Sequence, residues 1–426
     1  MRVLFNTWAW PTHFYPMAPL AWALRAAGHE VLAAVPPAQT GVVRAAGVPF
    51  QPVGRDLDTV AMFRAIVEGT PQTRPVPAEP AASAGPAASA EPAGAPEWTR
   101  RVPRASMIWL ALAESMTGEL VDVARAWRPD LVVFDPTSWA GPIAAAAVGV
   151  PAVRHPWGAD IVAAMRARPG VAEGEAAAMA PLCARLGVES PVEPLGRLTL
   201  DPCPEGLQQP GLTHERAPIR YVPYNGDRAP HGLQNGRAGT DRASGRASGR
   251  ASGRASGRAR VCVTWGTTVG RVAPGRMEAG RIARALAGAG LDVVVAVDEG
   301  QRHLFGELPG EVEVVESAAL HTVVPGCDAV VGHGGSGTIL TGLVHGLPQI
   351  VFPLLPDHRF NATRLAASGA GISVDLAEAT DARVRDEIRR LLDEPSYAKA
   401  ARALGDGIAA APAPAALVPR LAELTG

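Results

Sequence analysis

Residues 327–365 read CDAVVGHGGSGTILTGLVHGLPQIVFPLLPDHRFNATRL. A short apolar strand, Ala329-Val330-Val331, runs into a glycine-rich turn, Gly332-His333-Gly334-Gly335-Ser336-Gly337-Thr338. An apolar helix over 339–344 follows at once. That order makes an anion site. Amides of the turn and of the first helical residues have no partner inside the helix, and the helix dipole adds a partial positive charge. Glycine lets a phosphate oxygen approach backbone that a Cβ would obstruct. A second βα unit, carrying Asp357, His358 and Asn361, comes within one strand's length. The implied ligand is a phosphorylated small molecule.

Outward from this stretch, the same alternation recurs. Apolar runs at 261–264, 293–297, 312–315, 350–352 and 372–374 read as further strands, with a helix at 277–287. In the first half, strands are expected at 3–5, 31–35, 49–53, 131–134 and 151–154, and helices at 17–27, 106–127 and from Ala140. Strands alternating with helices predict parallel, doubly wound sheets. The expected fold is α/β, two tandem Rossmann-like domains facing across a cleft, with ligands at the carboxyl ends of the strands.

Composition narrows the chemistry. A chain of 426 residues, 47% hydrophobic and 19% charged, with a net charge of −1, is an ordinary α/β composition without a field for nucleic acid or an anionic membrane. Lys399 is the only lysine, so neither a Walker-type phosphate loop nor a lysine Schiff base can be built. The four cysteines (Cys183, Cys203, Cys262 and Cys327) show no CxxC spacing, which argues against a zinc site or a disulfide framework and fits a reducing cytoplasm. No apolar run reaches the roughly 18 residues of a membrane span, and the N-terminal run is too short for a signal peptide. A Pro/Ala/Ser/Glu tract at 71–97 reads as a disordered surface loop, and four Arg-Ala-Ser-Gly copies at 242–257 as an expanded linker. Asp56-Leu57-Asp58 has the form of a metal-binding DxD, but its setting is that of a solvated turn.

Three features cluster in function. Gly266-Thr267-Thr268 leaves the second domain's first strand and aims hydroxyls at the same crevice as the glycine turn. Asp357 and His358 leave the next strand, a carboxylate and a mixed donor/acceptor of the kind that reads sugar hydroxyls. His13 follows the first strand, just before a helix, and an imidazole's ordinary pKa lies near working pH, so it can accept a hydroxyl proton. The remaining histidines lack paired spacing and read as structural.

The run HGGSGT…GLPQIVFPLLPDHRFNATRLAASGAG, with PTHFYPMAPL…LRAAGHEV at residues 11–31, resembles the family 1 glycosyltransferases of the GT-B fold, nearest to actinobacterial enzymes that glycosylate polyketide, macrolide and other antibiotic aglycones. The resemblance covers nearly the whole chain outside the two low-complexity tracts. It implies an inverting hexosyltransferase that moves a deoxysugar from a nucleoside diphosphate, dTDP rather than UDP, to an aglycone hydroxyl. His13 would be the general base, oriented by Asp135. His333, Gly334, Gly335, Ser336, Gly337 and Thr338 would hold the diphosphate with Gly266, Thr267 and Thr268, and the 317–320 segment, Ala318 and Ala319 within it, would read the pyrimidine. Asp357 and His358 would bind the sugar; many relatives, glucose users above all, carry Asp-Gln there, so Asp-His points away from UDP-glucose.

The first domain (1–215) would hold the acceptor, with Trp8, Trp10 and Phe14 in contact, and 261–426 the nucleotide sugar, its last helix packing back on the first domain across a 216–260 linker. No metal or other cofactor is expected, since helix termini can stabilise the leaving diphosphate. Expected partners are the nucleotide sugar and an apolar acceptor, with a homodimer or a helper protein as further partners. Two other readings share the architecture: a nucleotide-sugar epimerase, and a non-catalytic activator of another glycosyltransferase.

Overall fold

The computed structural model describes residues 1–68, 97–189, 191–226, 257–298 and 300–426. The 71–97 tract and the 242–257 repeats lie outside the described residues, apart from Glu97 and Gly257.

Two parallel sheets carry the chain. The first holds β1 (Arg2–Asn6), β2 (Glu30–Val35), β3 (Phe50–Pro52), β4 (Leu131–Phe134), β5 (Ala152–Arg154), β6 (Leu198–Asp201) and β7 (Arg216–Pro218) in the order β3-β2-β1-β4-β5-β6-β7. The second holds β8 (Arg260–Thr264), β9 (Asp292–Val297), β10 (Glu313–Glu316), β11 (Ala329–Gly332), β12 (Gln349–Val351) and β13 (Gly371–Ser373) in the order β10-β9-β8-β11-β12-β13. The strands read as almost unbroken apolar runs because helices cover both faces of each sheet. β6 and β7 were not expected from sequence; LTLD and RAP are short, and the second ends on proline. β7 pairs with β6 in parallel as far as Pro218.

The strand orders decide where a ligand can sit. In each sheet the order reverses between two neighbours, β1 and β4 in the first and β8 and β11 in the second. At such a reversal the loops leaving the strands diverge to opposite faces and open a crevice. Asn6 pairs with Phe134, so Thr7 and Asp135 emerge side by side; Thr264 pairs with Gly332, so Trp265 and His333 do the same, and Gly266 follows packed against the His333 ring. The two crevices share a single cleft, lined from one side by His13 and Trp8 and from the other by Gly266 and Gly335.

Each sheet buries its own core. Apolar packing joins them at several places: Val272, from the second unit, packs among Trp10, Ile108 and Trp109; Ala159, Leu207 and Tyr221 pack with Ile339, Leu340 and Leu343; and the C-terminal Leu417, Val418 and Leu421 pack with Val3 and Phe5. The four cysteines are buried free thiols. Among the described residues no helix is long and apolar enough to cross a membrane.

Candidate active site

Trp10 caps a one-turn helix, Pro11–Phe14, that leaves β1. Proline at the first helical position sets the turn, and the His13 amide bonds to the Trp10 carbonyl at 3.0 Å. On so short a helix, successive side chains point about 100° apart. His13 therefore lines the cleft, whereas Phe14 is fully buried in the sheet core with Val3, Phe5 and Leu20. Phe14 is a core residue and does not line the cleft.

His13 Nδ1 lies 2.8 Å from Asp135 Oδ2. Asp135 is fully buried, and its carboxylate also accepts from the Thr7 hydroxyl (3.1 Å), the Thr137 amide (2.7 Å) and the Thr137 hydroxyl (2.6 Å). A carboxylate accepts only, so His13 Nδ1 carries the hydrogen and Nε2 keeps a lone pair. Trp8 Nε1 then donates to Thr137 Oγ1 at 2.9 Å; its 3.3 Å approach to His13 Nδ1 brings two donors together and is a packing contact. The Trp157 ring covers His13, centroids 4.2 Å apart.

Across the cleft the helix of the glycine turn begins at Ser336, three residues before the position expected from its apolar run, with Gly335 as its N-cap. Ser336, Gly337 and Thr338 thus form the first helical turn, and their amides are the unpaired ones. Gly334 sits at φ +97°, and a Cβ there would meet Val351 Cγ1 at 2.8 Å. Asn361 Nδ2 ties the turn down, donating to the Gly334 carbonyl (2.9 Å) and Ser336 Oγ (3.0 Å). Ser336 also abuts Gly158 of the first sheet's unit, where a Cβ would approach Ser336 Oγ to 2.6 Å. Gln301 Nε2 holds the Thr267 carbonyl at 3.1 Å. Gln301 and Gly158 carried no signal in sequence; only their packing against the site marks them.

Gly266, Thr267, Thr268, Ala318, His333, Gly335, Ser336, Gly337, Thr338, Asp357 and His358 all line this cleft of about 300 Å³, together with Trp8, Trp10 and His13. Ala319 is buried beside the cleft, as is Gly334 beneath the turn. Ser317, just before Ala318, holds a left-handed φ of 57°. Strain of this kind in a non-glycine residue costs on the order of 1–3 kcal/mol and marks a backbone held for a purpose. The DxD carboxylates are used locally: Asp56 accepts from the Ala38 amide and Asp58 from the Ala61 amide, each at 2.9 Å. Among the described residues no cluster of His, Cys, Asp or Glu is arranged to hold a metal.

The buried histidines are neutral. Burial pushes His333 down to about 3, reinforced by neighbouring His358; burial alone pushes His358 to about 3, and burial pushes His155 to about 4 against opposing backbone hydrogen bonds. His358 Nδ1 accepts the Leu355 amide at 3.3 Å at the start of its helix, so its proton sits on Nε2, 3.7 Å from Asp357 Oδ2. Desolvation within the cleft raises Asp357 above the usual carboxylate range, although 39% of its side chain is exposed, and hydrogen bonds from the backbone amides of Asp357 and His358 pull the other way.

A stability profile follows. Unfolded histidines take up protons near 6.5, and these three do so in the fold only near 3–4. Between those values the unfolded chain binds more protons, so stability is complete above about pH 6.5 and falls as pH drops, each histidine contributing a slope of up to about 1.4 kcal/mol per pH unit. Raised Asp201, Glu175 and Asp357 act oppositely, taking up protons first in the fold and offsetting part of the loss. Urea melts of His358→Gln from pH 7 to 5 should show a slope smaller by up to one proton than wild type; an unchanged slope would remove His358 from this account.

Known proteins resemble this chain in sequence and fold. Residues 22–235 match the N-terminal domain of the family described as erythromycin biosynthesis protein CIII-like, and residues 281–424 match its C-terminal domain. The chain belongs to this family. It is 34% identical to the 10-deoxymethynolide desosaminyltransferase of Streptomyces venezuelae, across 100% of this chain and 97% of that one. Identity to the tylactone mycaminosyltransferase of Streptomyces fradiae is 35%, across 100% and 92%. Among solved structures, the glycosyltransferase VinC in complex with dTDP superposes with a TM-score of 0.75 at 30% identity, covering 100% of this chain and 99% of that one. The fold is therefore GT-B, and this CIII-like protein is a glycosyltransferase.

Proposed function

We infer that this protein transfers a deoxysugar from dTDP to a hydroxyl of an apolar polyketide or macrolide aglycone, in the cytoplasm and with inversion. The observation that carries the reading is the His13–Asp135 pair facing the glycine turn across one cleft. The acceptor O–H gives its proton to His13 Nε2, and its oxygen attacks the anomeric carbon. The bond from that carbon to the diphosphate oxygen breaks, and the electron pair leaves with the diphosphate. Amides of Ser336, Gly337 and Thr338 meet the developing charge with no reorganisation, so the reading calls for no metal. The strained Ser317–Ala318 segment offers backbone groups to the pyrimidine, and Asp357 accepts from sugar hydroxyls.

Acceptor polarity follows from the first domain's half of the cleft. Trp109, Trp157, Phe63, Ile161, Val162 and Met165 line it, without a charged side chain among them. Such a wall binds an uncharged, largely apolar molecule. It also distinguishes the reading from an epimerase, which has no acceptor to seat. An activator homologue would not need an oriented base.

Donor identity is tested by ligand-linked stability. At a hundredfold excess over its Kd, dTDP should stabilise the protein by about 2.7 kcal/mol, readable as a rise in Tm. A larger rise with UDP would reassign the nucleotide, and no rise with either would overturn the donor reading. Mass spectrometry of transfer to a panel of aglycones then identifies the acceptor. Activity appearing only with a second protein, or a solution mass of two chains, would assign the helper or homodimer partner.

A further inference from the structure

The indole of Trp10 does more than line the acceptor pocket. Its Nε1 lies 3.1 Å from Thr268 Oγ1, a hydrogen bond between residues 258 positions apart that joins the loop of the base to the phosphate-side loop of the other sheet. We propose that Trp10 is a positioning residue that aims the Thr268 hydroxyl at the donor's diphosphate, so that leaving-group stabilisation is complete only when the acceptor loop is in place. This rests on the donor reading above.

The chemistry of the two groups fixes the direction. An indole N–H donates and cannot accept, so Thr268 Oγ1 is the acceptor and its own hydrogen must point elsewhere. Thr268 lines the cleft beside Gly266 and Gly335, where the remaining hydrogen can find an anionic oxygen. A hydroxyl that already accepts one hydrogen bond donates a stronger second. Both ends of the link are held. The Trp10 carbonyl accepts from the His13 amide (3.0 Å) and from buried Gln39 Nε2 (3.2 Å), so the backbone that positions the indole also positions the base. The Trp10 ring is wedged against Trp8 and Phe63, centroids 5.1 and 5.5 Å away. On the far side, Gln301 braces the Thr267 carbonyl, and the guanidinium of Arg64 donates to the Arg271 carbonyl at 3.0 Å, a second crossing of the same seam. A hydrogen bond to a charged group contributes about 1.5–3 kcal/mol, so losing its aim should cost about tenfold or more in rate.

The test is a double-mutant cycle on the full chain with a dTDP-sugar donor. Trp10→Phe keeps a ring against Trp8 and Phe63 and removes the N–H. It should lower kcat about tenfold and leave the acceptor KM within about twofold. Thr268→Val should lower kcat at least as much, Thr268→Ser should restore most of it, and the double variant should be no worse than Thr268→Val alone. Trp10→Phe with wild-type kcat, or with a raised KM only, would reduce Trp10 to a pocket wall and overturn the proposal. Effects that multiply in the double variant would overturn it too. If Trp10→Phe fails to fold, Thr268→Val acting on KM rather than kcat, or no rescue by serine, overturns it from the other side. Failure of dTDP to bind the wild-type protein would instead remove the donor reading, and this coupling with it.

Discussion

His13→Ala should lower the transfer rate by about a thousandfold while dTDP still raises the melting temperature. A positioned general base contributes roughly 10² to 10⁴ in rate, and among the described residues lining the cleft His13 is the sole histidine, carboxylate or basic side chain from the first sheet's half of the chain. The fold should tolerate the change. Asp135 loses one donor and keeps three, from Thr7 and Thr137, so no buried carboxylate is left bare. The glycine turn assigned to the diphosphate follows a strand of the other sheet, whereas the side-chain partners of His13 (Asp135, Trp8 and Trp157) belong to the first sheet's unit. Loss of rate with retained dTDP binding therefore separates the two halves of the cleft. Added imidazole should recover part of the rate by filling the space beneath Trp157. Transfer within about tenfold of wild type would end the assignment of His13 as base.

The halves of this site were unequally legible in sequence. The glycine turn announces itself because strand, turn and helix start are contiguous, and each contributes to one local anion site. His13 is legible as a histidine at a strand's carboxyl end. Asp135 was open to two readings, helix cap or orienting acid; the next helix has Trp139 as its N-cap without a side-chain cap, while Asp135 Oδ1 takes the Thr137 amide and hydroxyl in the preceding turn and Oδ2 takes Thr7 and His13. What sequence could not supply is contact across the cleft. Trp10 and Thr268, or Gly158 and Ser336, are joined only by how two sheets face each other, and no local period encodes that. Phe14 fails for the opposite reason. One residue's rotation on a single helical turn separates core from cleft, and a lone turn has no periodicity from which to read it.

Asp135→Asn should cost about 10² to 10⁴ in rate, no less than Asp135→Ala, although the amide is the closer mimic of the native side chain. Hydrogen placement decides the effect. Thr137 presents two donors, its amide and its hydroxyl, to Oδ1, so the asparagine oxygen will occupy that site. Its NH₂ group is then forced toward Thr7 and His13. The Thr7 hydroxyl can turn and accept. His13 Nδ1 can only become an acceptor by giving up its hydrogen, which moves the ring's proton to Nε2, the nitrogen that faces the acceptor. The base is then blocked by its own proton. Asparagine also removes the negative charge that would steady the imidazolium as it forms. Alanine, by contrast, leaves the ring free to sample both tautomers, at the expense of stability from unpaired Thr137 donors. The measurement is kcat for both variants beside their melting temperatures with and without dTDP. Asparagine should melt near wild type and bind dTDP normally while turning over slowly, and a rate within about tenfold of wild type would show that Asp135 does not set the tautomer of His13.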